Sequence, residues 1–187
     1  MRVLGVRCAL LFWVAVASQA CGSGTEPPAG GEAGSEPTAA AAASAPTGDL
    51  QQVMRSILFH SSNLIFATQS DDPADPKAPL DASFGTYAKV YTGWVVVENA
   101  AVALAESADL ILKPGRVCSN GRPVPLDQAD FVKFAGALRT AGQAALKAAQ
   151  SKNMDNMIEV SGTVSEACEN CHMVYRDKPD LKDRCIP

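Results

Sequence analysis

Histidine is scarce in this chain: only His60 and His172 occur among 187 residues. A zinc site wants a second ligand pair, and His60 stands alone in sequence. Basic runs are missing, which removes the electrostatic footprint of a nucleic-acid binder. The formal net charge is −4, and such a mildly acidic surface keeps a small domain soluble and favours basic partners. Long apolar runs are missing too. The run at residues 8–17 (CALLFWVAVA) is too short for a stable membrane span. No stretch alternates as a half-buried strand would, and no period of 20–50 residues repeats. Hydrophobicity is ordinary overall, but alanine supplies much of it.

Against these absences stands Cys168-Glu169-Asn170-Cys171-His172. Two cysteines three apart with histidine directly after read as a covalent c-type haem attachment. On a helix, residues i and i+3 share a face, so both thiols can meet the two vinyl groups of one porphyrin. His172 then falls beneath the ring as the proximal iron ligand. From this composition a CxxCH is expected by chance on the order of 0.002 times. A thioredoxin-like CxxC wants a preceding strand, which the sequence does not provide.

The N-terminus reads as an export signal, with Arg2 and Arg7 ahead of the short apolar run and small residues at Ser18 and Ala20. Cys21 at the cut site resembles a bacterial lipobox, making it the lipidated first residue of the mature chain, although that motif prefers an aliphatic residue where Ser18 stands. Plain cleavage after Ala20, leaving a free thiol, is the other reading. Export to the periplasm or cell envelope agrees with CxxCH, since haem thioethers are typically completed outside the cytoplasm. Residues 22–48 form a tether of small and polar residues that would hold the domain off a membrane surface. Of the remaining cysteines, Cys8 leaves with the signal. Cys118 and Cys185 are then a candidate disulfide, or else two buried thiols.

Residues 49–187 predict an all-α domain. Asp49 and Gln52 look like a capping box for helix A, from 50 to about 69. A loop with three prolines spans 71–83. Helix B runs from about 84 to 112, with Tyr87, Val90, Tyr91, Trp94, Val97 and Leu104 on one face, and Pro114-Gly115 ends it. Lys113, Arg116 and Arg122 in the following loop, 113–126, read as solvated. Helix C follows Asp127, burying Phe131, Phe134 and Leu138 and exposing Lys133, Arg139, Gln143 and Lys147. Helix D runs from about Asp155 to Arg176. Gly162 inside it suggests a close approach of a helix or haem, because glycine costs about 1 kcal/mol against alanine there. Four amphipathic helices with moderate connections predict an antiparallel four-helix bundle, with haem near the C-terminal helix.

A four-helix chain with CxxCH in its last helix resembles the class II c-type cytochromes, the cytochrome c′ and c-556 group. Tyr175-Arg176 complete the CHxxYR ending seen there. Met54-Arg55-Ser56-Ile57 and Asn63-Leu64-Ile65-Phe66 are similar to the first helix of a bacterial branch, so the resemblance covers about 49–176. It implies one covalent haem c, single-electron transfer with redox partner proteins rather than catalysis, and homodimers, which are common among cytochrome c′ relatives. It implies His172 as proximal ligand and Arg176 near the haem propionates. A helix A residue faces the distal side of the iron: a methionine ligand in c-556-like members, or a non-ligating apolar residue that leaves an open site for NO or CO in c′-like ones. Met54 is the first candidate ligand, sharing a face with Leu58 and Ile65; the bland reading is core filling. His60 lies roughly 120° around the helix from Met54 and reads as a surface residue.

Overall fold

The computed structural model describes residues 44–75 and 91–187. Its first helix begins where the capping box predicts. The Gln52 amide donates to Asp49 Oδ1 at 2.7 Å, and the Asp49 amide donates to Gln52 Oε1 at 2.8 Å. Leu50–Val53, Met54–Leu58 and Phe59–Ala67 follow one another without a break and together form α1. The middle piece is π-helical. Its cause can be read from burial: Leu50 and Val53 are buried, and the next buried position is Leu58, a step of five. A π turn absorbs the extra residue, and beyond it burial resumes at Ser61, Leu64 and Ile65.

The second helix, α2, spans Trp94–Ile111. This corrects the expected start near 84. Tyr91 lies before the helix and is exposed, and Gly93 forms the N-cap at φ +64°, which favours glycine. A side chain at Gly93 would also strike the Pro73 carbonyl. Tyr87 and Val90 lie outside the described residues, as do the signal segment, Cys21 and residues 22–43 of the tether. The third helix, α3, spans Ala129–Ser151, and the fourth, α4, spans Met154–Tyr175, capped by the Asn153 side chain. A single 3-10 turn, Leu181–Asp183, lies in the tail.

The described part is all-α. Packing joins α1 to α2 and α4, α2 to α3, and α3 to α4. Small residues set the spacing of α2 and α3: Ala101, Ala105 and Ala108 are buried on one, Ala141, Gly142 and Ala145 on the other. A Cβ at Gly142 would sit 2.8 Å from the Ala105 Cα, so the close approach falls here. Gly162, expected to mark such a contact, faces open space instead. Asp109 pairs with Arg139, one turn further along α2 than Ala105 and one turn back along α3 from Gly142, so the two helices run in opposite directions.

Arg116 also departs from expectation. It is buried, donating from Nε to the Leu110 carbonyl at 2.8 Å and from Nη1 to the carbonyls of Thr47 and Gly48. It thereby caps the C-terminal end of α2 with a cation, where the helix dipole favours one, and ties that end to the start of α1. The tail is fixed by a disulfide between Cys118 and Cys185. Among the described residues no helix is long and apolar enough to cross a membrane.

Candidate functional site

Helical spacing puts Cys168, Cys171 and His172 on one side of α4, and all three line a cavity of about 470 Å³. That volume lies in the range of small-molecule and cofactor pockets. From α1 come Met54, Leu58 and Phe66, and from α3 come Phe131, Phe134 and Leu138, so the wall is largely apolar. The π turn lies in this wall: Met54 and Leu58, its first and last residues, both face the cavity. Such turns are frequent at functional sites, and the step of five in burial between Val53 and Leu58 marks this one in the folded chain.

Cys168 and Cys171 are free thiols, each partly buried. Burial raises the pKa of both. For Cys171, burial, then the neighbouring Cys168 and Asp130, push it up to about 11 against the opposing pull of Arg176. Redox-active CxxC pairs show the opposite, a depressed thiol pKa, so this dithiol is poorly suited to thiol exchange. Burial, with help from the Arg176 charge, lowers the His172 pKa and so favours the neutral imidazole, the form able to ligate a metal. Among the described residues no group of three or more His, Cys, Asp or Glu could hold a metal ion.

Behind the motif stands a braced aromatic cluster. Tyr175 is buried, its ring edge-on to Phe131 at 5.1 Å and to Phe134 at 6.4 Å. Its hydroxyl donates to Asp130 Oδ1 at 2.6 Å, which locks the end of α4 to the start of α3. Burial first, then this hydrogen bond, raises the Tyr175 pKa. Phe134 lines the cavity, while Trp94 packs against the core without lining it. His60 is exposed and does not line the cavity.

A smaller cavity of about 100 Å³ adjoins the first, sharing Met54, Phe131, Cys171, His172 and Arg176 with it. It adds Tyr175, Cys185 and Arg184, the last of which the sequence reading passed over. Arg176 lines both cavities, but its Nε and Nη2 already donate to the Asp177 carboxylate at 2.7 and 3.3 Å. That hydrogen bond is the main reason the Asp177 carboxyl titrates below its usual range. Comparison with known family models, characterised proteins and solved structures finds no match for this chain.

Proposed function

We propose that this chain is a monohaem c-type cytochrome that carries single electrons outside the cytoplasm, built as an antiparallel four-helix bundle of the class II kind. The observation that carries the reading is the convergence of Cys168, Cys171 and His172 on one apolar cavity of about 470 Å³, with Met54 and Leu58 of α1 in the same wall. The residues present fit the group. Two thiols on one helical face suit thioether links to a porphyrin, and the neutral His172 suits proximal ligation. A buried arginine nitrogen without an acceptor, at Arg184, suits an acidic group nearby.

When bound, haem supplies one-electron redox chemistry. This chain's part is to hold and tune it. Cys168 and Cys171 would anchor the ring, and His172 would be the iron ligand supplied by α4. Met54 is the proposed sixth ligand, which would favour the reduced state. Phe131, Phe134, Leu58 and Leu138 exclude water, and a drier site disfavours the extra charge of the oxidised iron. Export and a lipid anchor at Cys21 complete the reading and place the domain at the cell envelope.

One observation keeps a second reading in play. Leu58 is buried and lines the same cavity as Met54. With Leu58 rather than Met54 over the iron, the distal site would be open and the protein would bind NO or CO.

Haem staining after denaturing electrophoresis tests the proposal, because thioether-linked haem survives denaturation. Protein matured in a haem-c-competent host should stain, and the Cys168→Ser/Cys171→Ser variant should not. An unstained wild-type chain of full length would refute covalent haem.

A further inference from the structure

The C-terminal tail is held by more bonds than its own burial explains. Leu181 is 63% exposed, so the tail gains little from apolar contact. Yet the Asn120 side-chain amide donates to the carbonyls of Leu181, Lys182 and Arg184, at 3.1, 3.2 and 2.9 Å. The Cys185 amide donates to the Tyr175 carbonyl at 2.8 Å, and the disulfide ties Cys185 to Cys118. Cys185 itself sits at φ +64°, a left-handed backbone that a side chain rarely adopts without such restraints.

What these bonds fix is Arg184. Its Nε is the one buried side-chain nitrogen or oxygen without a hydrogen-bond partner among the described residues. It lines the small cavity together with Cys171, His172 and Arg176. A guanidinium nitrogen withdrawn from water and left without an acceptor is costly, and a carboxylate is the acceptor its geometry matches best. Arg176 spends two of its five donors on Asp177, whose carboxylate also feels the Arg184 charge, and the Arg184 Nε and the remaining Arg176 donors are left for a second acceptor.

We propose that Arg184 binds a carboxylate of the group held in the cavity, beside the Arg176 contact that the class II resemblance already implies, and that the Cys118–Cys185 bridge positions Arg184 to do so. The inference rests on the haem reading above, under which the carboxylate is a haem propionate. It makes the bridge a positioning element for the cofactor's acidic edge: breaking it loosens the tail, which hydrogen bonds such as those from Asn120 then hold, and lets one cation move away. A nearby cation disfavours the oxidised iron, and it holds a paired carboxylate ionised to lower pH.

The test is the haem midpoint potential as a function of pH, from about 4 to 8, where carboxylates and histidine titrate. It compares wild-type protein with Arg184→Gln, Arg184→Lys and Cys118→Ser/Cys185→Ser, each matured with haem. Arg184→Gln should lower the potential and move the carboxylate-linked bend in the curve to higher pH. Arg184→Lys should fall between the two, because it keeps the charge and loses the fork. The double serine variant, which leaves Arg184 in the chain, should follow Arg184→Gln. Haem-loaded variants that all trace the wild-type curve would overturn the Arg184 contact while leaving the haem reading intact. A wild-type chain without haem would overturn both.

Discussion

At the scale of single residues, the hydroxyl of Tyr175 carries more than its size suggests. It is buried, braced by two phenyl rings and bonded to Asp130. The folded chain therefore holds its phenolic proton more tightly than the unfolded chain, in which the group titrates near 10. The stability this gives is fully present below about pH 10 and is lost as pH rises through the folded value. Tyr175→Phe should lower stability at neutral pH by about 1–3 kcal/mol, the range of a hydrogen bond to a charged group. It should also flatten the alkaline loss, so that urea midpoints of the two proteins converge above about pH 10. Parallel curves across that range would remove Tyr175 as the alkaline switch. The residues of the motif were legible in sequence because their chemistry is local. Arg176 was legible as a residue near the motif, but its pairing with Asp177 depends on how α4 ends. Arg184 was not legible, because twelve residues of sequence separate it from His172 and only the folded tail returns it.

Among the elements, two glycines separate packing from propensity. Gly142 faces the Ala105 backbone with no room for a methyl, so Gly142→Ala should destabilise by about 1–3 kcal/mol through overpacking. Gly162 is exposed with open space around it, so Gly162→Ala should stabilise by up to about 1 kcal/mol through helix propensity alone. Denaturant midpoints decide the pair, and equal shifts of one sign would contradict the assignment of the close contact to α2 and α3. Composition announced that close approach, since alanine is abundant, but not which glycine served it. Helical periodicity placed the start of α3 and both ends of α4 within a residue or two, because both carry apolar stripes. It misplaced the start of α2, where Gly93 interrupts an otherwise helical pattern at a backbone angle that sequence periodicity does not register. It also read through the π turn of α1, since Met54 and Ile57 fill the gap between Val53 and Leu58 with apolar residues.

For the whole molecule, the covalent link from the loop after α2 to the tail matters most. The disulfide joins residues 67 apart, and a loop of that length should contribute about 4 kcal/mol by restricting the unfolded chain. Thermal melts with and without reductant should therefore separate, and coincident melts would show that the bridge adds nothing to global stability. All-α character, the capped start of α1 and the Cys118–Cys185 pairing were readable from the chain. The cavity itself was not, because its walls come from α1, α3 and α4, with Ile111 from α2, and exist only once those helices pack.

Covalent haem with methionine ligation is decided by the visible absorption spectrum of protein matured in a haem-c-competent host, oxidised, then reduced, then exposed to CO. One haem per chain is expected, with sharp, resolved bands in the reduced state that CO barely changes in the wild type and shifts readily in Met54→Leu. Bands that CO shifts at once in the wild type would contradict methionine ligation and favour the open-site reading. The absence of any haem spectrum would contradict the cytochrome itself.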